Sequence, residues 1–363
     1  INVAATVPDR RQFSRVLRTL PPATLAWLLT ASVHLLQATL PADQQATFGD
    51  TIAGDTQALL AWVKENNPKQ FIKAGRLDKT RQPSGDPDCK LGVKKRRNVS
   101  PEDAPPTPTT AGQPANRLQV GVDIFWGYAA GIVVTALPDG TEIVLAERTR
   151  PFNESDISYF PPLMAQVEQQ LGRRPRTGIW DTAFDAHYVY DYYHQAGGQA
   201  IVPLNRGKRG GDRQFDADGQ PLCAAGLGMP VRFTFQDRTS TLVPHERATH
   251  GCPLLHPTPT GQVCPIADPH WEKGGCTTTL ATGAGARLRL QIDRDTAAYK
   301  QLYAQRTMVE RVNSQAEALG LLRPTLRSGR AIANQASLTY VLINLRALRR
   351  VVARSASAVP PSA

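Results

Sequence analysis

The sequence shows no secretion signal and no uninterrupted apolar run long enough to cross a membrane. Its most apolar early stretch, Ala23 to Leu40, follows Pro21-Pro22 and is broken by His34, Gln37 and several Thr and Ser residues. Leucines at 25, 28, 29, 35 and 36 give that stretch the spacing of an amphipathic helix. Cysteine is also scarce. Five in 363 residues exclude a disulfide scaffold and make a reducing cytoplasm the expected compartment. Close Cys-x2-Cys pairs, internal repeats and a recognisable sequence-specific DNA-binding motif are all missing. A chain that starts at Ile1 is expected to be processed or a fragment.

What is present is size and positive charge. The length allows a substantial core, either one large domain with an insertion or two domains, and the 41% hydrophobic content is that of an ordinary globular protein. Lys+Arg of 42 against Asp+Glu of 31 leaves +11, and the sequence pI is near 9.6. Solubility alone could account for such a surplus, but the charges cluster. The groups are Lys94-Lys-Arg-Arg97, Arg173-Arg174 with Arg176, Arg206 with Lys208-Arg209, and Arg346 with Arg349-Arg350. Clustered cations suit a polyanion, because they neutralise phosphates and release counterions.

Hydropathy patterning divides the chain. Residues 1–46 read as a helical segment, with helices over Arg10–Thr19 and Ala23–Leu40. Residues 47–204 read as the first part of an α/β core: an opening strand in Thr47–Val63, then a polar, proline-rich segment over 64–119. Within that segment 101–116 is expected to be a mobile loop. A hairpin follows, Val120–Ala136 and Thr141–Arg148, turning at Pro138-Asp-Gly140. The spacing then predicts a helix over Asp156–Leu171, a strand over Thr177–Trp180, a helix over Ala186–Gln195 and a strand over Gln199–Pro203. Residues 205–295 break the alternation as a β-rich insertion, with strand-like runs at Val231–Phe235 and Arg287–Gln291 and four of the five cysteines. Residues 296–353 return to the core as a helix over Thr296–Leu319 and a terminal helix over Ala331–Ala353; 354–363 is expected to be a disordered tail.

Chemistry concentrates in the first of those last two helices. Tyr303, Arg306 and Glu310 stand at i, i+3 and i+7. At about 100° per residue they fall within roughly 60° of one another on a helix. Leu302, Val309, Val312, Ala316 and Leu319 fall on another side and can pack inward. Upstream, Asp55 in Thr51-Ile-Ala-Gly-Asp55-Thr and Asp181 in Gly178-Ile-Trp-Asp181-Thr-Ala-Phe-Asp185 lie in strand-like contexts. Two strand aspartates and a helix glutamate can together hold divalent metal, which points to nucleic-acid strand cleavage and transfer. Asp123, in Val120-Gly-Val-Asp123-Ile-Phe, competes with Asp55 for the first position, and plain surface solvation is the alternative for any of the carboxylates.

Tyr-x2-Arg-x3-Glu around Glu310, with Asp55 and Asp181 upstream, resembles the DDE transposases of bacterial insertion sequences. The resemblance runs from about Asp55 to Arg350 and includes Trp126-Gly-Tyr128, Asp181-Thr-Ala-Phe-Asp185 and Val341-Leu-Ile-Asn-Leu-Arg346. It departs at Glu317, where relatives often carry a lysine that contacts DNA. The resemblance implies an α/β fold, an RNase H-like mixed sheet flanked by helices, with the β-rich insertion placed before the glutamate helix. It implies Asp55, Asp181 and Glu310 as catalytic ligands of two Mg2+ (or Mn2+) ions, with Tyr303 and Arg306 on DNA. Double-stranded DNA (element ends and target) is then the expected partner, with homo-oligomerisation on DNA and a bacterial, nucleoid-associated location. A nuclease that cleaves without joining and an inactive DNA-binding remnant stay open beside the transposase.

The remaining signal is sulfur. Cys252, Cys264 and Cys276 repeat every twelve residues, Cys223 precedes them, and His245, His250, His256 and His270 lie nearby. Four such ligands could close a structural Zn2+ site and hold the insertion together; buried free thiols are the alternative.

Overall fold

In the computed structural model, residues 9–67, 76–96, 121–205, 213–238 and 242–357 are described. Asp9 opens α1 (Arg10–Thr19) with a reciprocal cap: its carboxylate accepts from the Gln12 amide at 2.7 Å, and its own amide donates to the Gln12 side chain at 3.0 Å. Pro22 then starts α2 (Pro22–Thr39), where its fixed φ and missing N–H suit a first turn. The short α3 (Ala42–Thr47) reaches Thr47, where the sequence pattern starts the opening strand, and β1 begins only at Thr51 and runs to Leu60.

The main sheet also contains β2 (Lys90–Arg96), β3 (Gly121–Ala136) and β4 (Glu142–Pro151). After α4 (Phe160–Leu171) come β5 (Thr177–Ile179), α5 (His187–Gln195) and β6 (Gln199–Ile201). The strand order is β2-β3-β1-β5-β6, with β4 also on β3. At 16 residues, β3 is long enough to pair β2 along its first half and β4 along its second, while its other edge carries β1. Those pairings are antiparallel, whereas β1-β5 and β5-β6 are parallel, so the sheet is mixed. The hairpin expected from Pro138-Asp-Gly140 is present. Strand β2 was not expected. Its Lys94-Lys-Arg run lacks apolar alternation, and pairing to β3 makes it a strand. The loop expected over 101–116 lies outside the described residues.

Both faces of this sheet are covered. On one, Ala53, Leu59, Ile132 and Val134 pack with α1, α2 and the two last long helices described below; on the other, Ile52, Val133 and Leu145 pack with α2, α4 and α5. Burying both faces explains why β3 reads as a near-continuous apolar run rather than clean alternation. Gly54 lacks a side chain for a reason: a Cβ there would lie 2.0 Å from Trp180 Cζ3.

The insertion forms a separate three-stranded antiparallel sheet, β7 (Val231–Asp237), β8 (His245–Gly251) and β9 (Thr277–Ala281). The strand-like run Arg287–Gln291 is instead part of helix α6 (Ala284–Gln291). A short alternating run fits either state. Here the Asp191 carboxylate accepts from the Gly285 amide at 2.7 Å and fixes the helical first turn against α5.

The expected single helix over Thr296–Leu319 is two, α7 (Ala297–Ala304) and α8 (Thr307–Ala318). Between them Gln305, Arg306, Met308 and Val309 each donate their amide to the carbonyl three residues back, a tightened junction of 3-10 type. The terminal helix α9 (Gly329–Ser357) extends past the predicted end, so 354–357 is helical and not part of a disordered tail; the rest of that tail lies outside the described residues.

Candidate active site

Strand register brings the two aspartates together. Ile52 pairs with Gly178 and Ala53 with Ile179 on the parallel strands β1 and β5. Two residues beyond the last of these pairs come Asp55 and Asp181, near enough for the charge of Asp181 to act on Asp55. Strand β5 ends there. Asp181 turns to cap a 3-10 turn at Thr182–Phe184, accepting from the Ala183 amide at 2.8 Å, while β1 continues alongside β3. The aspartates therefore sit where two neighbouring strands part.

Helix α8 supplies the third group. Val309, Val312 and Ala316 are buried against the sheet and turn Glu310 outward at the rim, its side chain 54% exposed. Arg306 connects the acids: Nη2 lies 3.2 Å from Asp55 Oδ2, and Nη1 lies 2.6 Å from Glu310 Oε1. Its Nε is buried with no hydrogen-bond partner, so the guanidinium retains donor capacity. Asn313, three residues beyond Glu310, donates from Nδ2 to Asp55 Oδ2 at 3.4 Å.

Electrostatics shows the same convergence. Burial, opposed by Arg306 and reinforced by Asp181, pushes the Asp55 carboxyl up to about 6. Burial works against the charge on Arg306, but Asp55, Tyr303 and Glu310 outweigh it and raise its pKa. Asp156 is a fourth acid that the sequence did not single out. Burial raises its carboxyl, the Thr56 hydroxyl donates to it at 2.7 Å and holds it down, and Asp181 raises it again. Nothing in its sequence context marks it; the fold carries it there. Tyr303 is raised mainly by burial and stacks on Tyr299 with ring centroids 6.2 Å apart, so it is half-buried rather than at an exposed edge. Arg306 is likewise drawn inward, its side chain 19% exposed.

Asp123 lies elsewhere. Asp55 pairs with Ile132 on β3, and Asp123 is nine residues further toward the start of that strand, opposite Lys94. That is about 30 Å of extended chain. Asp185, at the end of the Asp181 motif, has a structural partner: its fully buried carboxylate accepts from Arg289 Nε at 2.6 Å and Nη2 at 2.7 Å, and from Tyr190 Oη at 2.9 Å. It ties α6 to the core. The basic clusters divide too. Arg346, Arg349 and Arg350 are exposed on α9, while Arg173 pairs with Asp50 and Arg174 bonds Gln195 and covers Tyr192.

The four insertion cysteines come together around one small cavity, described further below. Among the described residues, no three His, Cys, Asp or Glu side chains already share a common metal-ligand point. Neither protein-family models nor curated proteins match this chain.

Proposed function

We propose that the chain is a DDE-type transposase, cutting and joining DNA at the ends of its own insertion sequence on an RNase H-like core. The observation that carries the reading is the proximity of Asp55 and Asp181 where β1 and β5 part, with Glu310 linked to Asp55 through Arg306. The sheet is compatible with it: antiparallel strands β4-β3-β1 followed by parallel β5 and β6, with helices on both faces, make a mixed sheet flanked by helices.

The donor set fits magnesium. It is made of hard carboxylate oxygens, and Asp55, raised by burial and by Asp181, has too little positive charge around it. Asp55, Asp181 and Glu310 would hold two Mg2+ (or Mn2+) ions, which would activate the attacking oxygen and stabilise the leaving one. The chain's own groups do the rest. Arg306, half-buried between Asp55 and Glu310 with a spare donor, can exchange its carboxylate contacts for a phosphate of the reactive strand. Asn313 holds the orientation of Asp55 when Arg306 leaves it. Tyr303, in van der Waals register with Tyr299, offers a hydroxyl to the DNA backbone. The exposed arginines of α9 add a nonspecific electrostatic grip.

The test is cleavage and joining of linear DNA carrying the inverted repeats that flank the reading frame, with Mg2+ or Mn2+. Joined products support the transposase. Cleavage without joining moves the reading to a nuclease, and DNA binding without either to an inactive remnant.

A further inference from the structure

The insertion has far too little apolar core for its size. Across the described residues of 213–281 the buried hydrophobic side chains are Met229, Ala248, Cys252 and Leu254, one of them a cysteine. Strand β7 turns Val231, Phe233 and Phe235 outward, each at least 40% exposed. A unit this small with so little burial ordinarily needs a metal or disulfides to hold one conformation.

Its sequence places cysteine where the backbone folds back. The Cys223 carbonyl accepts from the Gly226 amide at 2.9 Å, that of Cys252 from Leu255 at 3.1 Å and His256 at 2.9 Å, and that of Cys264 from Ala267 at 3.2 Å. Gly226 and Ala267 take positive φ, 75° and 49°, to complete two of these turns. Cys276 follows Gly274 and Gly275, at φ 94° and 79°, and this bend brings the chain hard against Cys252: a Cβ on Gly275 would lie 2.6 Å from Cys252 Cβ. The Cys276 thiol lies close enough to Cys252 and Cys223 to feel both.

All four sulfur-bearing residues line one cavity of about 10 Å³, which is room for a single small ion or water molecule. All four are free thiols. No histidine lines that cavity: His245, His250 and His270 turn Nδ1 to the Val243 carbonyl at 2.9 Å, the Met229 carbonyl at 3.0 Å and the Asp268 carboxylate at 3.2 Å, and the unpartnered, buried Nε2 of His256 is not among its lining groups.

We propose that Cys223, Cys252, Cys264 and Cys276 bind one structural zinc ion as a tetrahedral four-thiolate site that fastens β7, β8 and β9 into a single unit. Four soft ligands on separate turns around an ion-sized cavity suit zinc, with no position left for water or substrate. The sulfurs must still close onto a common point. One rotamer change carries a sulfur roughly 3 Å, the scale of that closure. Binding releases the thiol protons, and no electron transfer is involved. The site is independent of the carboxylates and of the proposed reaction.

The full chain, purified with reductant and passed through gel filtration in metal-free buffer, should retain one zinc per chain by elemental analysis. Replacing zinc with Co2+ should give the intense thiolate-to-cobalt absorption of a tetrahedral site. Titration with a thiol reagent should leave these four cysteines unreactive until a strong chelator is added. The Asp55→Asn/Asp181→Asn/Glu310→Gln protein should keep its zinc, which separates this site from the carboxylates whatever becomes of strand cleavage. Cys264→Ser should lose the zinc. If that variant fails to fold, the wild-type thiol and metal counts decide alone. Four reactive thiols without zinc, or a mass lowered by two disulfides, would overturn the proposal.

Discussion

Replacing Arg306 by Met should destabilise the protein in a way that depends on pH and works through Asp55. The Asp55 side chain is 17% exposed, so solvent screens it little, and its carboxyl stands at about 6 against an ordinary 3.8. A raised carboxyl costs nothing below its unfolded value, and stability is lost as pH rises from about 3.8 toward 6. Fully ionised, wild-type Asp55 therefore carries a penalty of about 3 kcal/mol. Without Arg306, its strongest stabilising charge, the carboxyl rises further. A carboxyl that never ionised would carry about 4.4 kcal/mol at about pH 7, which bounds the penalty in the variant. The difference attributable to Asp55 is therefore near zero at about pH 5 and grows with pH, to at most about 1.4 kcal/mol at about pH 7 and at most about 2.7 kcal/mol at about pH 8. Lost packing adds a constant that the pH 5 value removes. The exposed contact to Glu310 contributes little in water. Urea unfolding followed by tryptophan fluorescence reads the difference, and the same comparison in an Asp55→Asn background should flatten it. A loss that is the same at all three pH values, or that persists in the Asp55→Asn protein, would refute the coupling.

Three further outcomes are expected. Glu310→Gln should lower strand cleavage by orders of magnitude while leaving salt-sensitive DNA binding intact, as read by parallel cleavage and filter-binding assays; unchanged cleavage would remove the glutamate from the mechanism. Gly54→Ala should cost about 1–3 kcal/mol in urea unfolding, because the new methyl meets the buried Trp180 ring, and a Trp180→Leu background should relieve it. Burial and the neighbouring His245 hold His187 down at about 4, so stability present above about 6.5 should fall as pH drops toward about 4, and His187→Asn should flatten that acid limb in thermal melts.

Much of this protein was legible in one dimension. The Pro21-Pro22 break separated α1 from α2, the Pro138-Asp-Gly140 turn announced the β3–β4 hairpin, and period and length located α4, α5 and α9. These features rest on local backbone preferences, which a sequence carries directly. The spacing of Tyr303, Arg306 and Glu310 likewise grouped these three before any partner was known, although the single helix expected to carry them breaks between Tyr303 and Glu310.

Only the tertiary structure could decide the rest, because it depends on pairings between residues far apart in the chain. Parallel pairing of β1 with β5, not any property of residue 55 or 181, brings those aspartates within reach of each other's charge and leaves Asp123 about 30 Å of strand away. Asp156 joins them only because Thr56, one hundred residues earlier, lies beside it. The break between α7 and α8 follows from tightened backbone turns that no breaker residue signals, and α6 is helical because Asp191 caps it from another element. The four cysteines repeat no short ligand spacing, yet four separate turns bring them to one cavity. Sequence patterns record what each segment prefers; which segments become neighbours is decided by burial of both sheet faces at once.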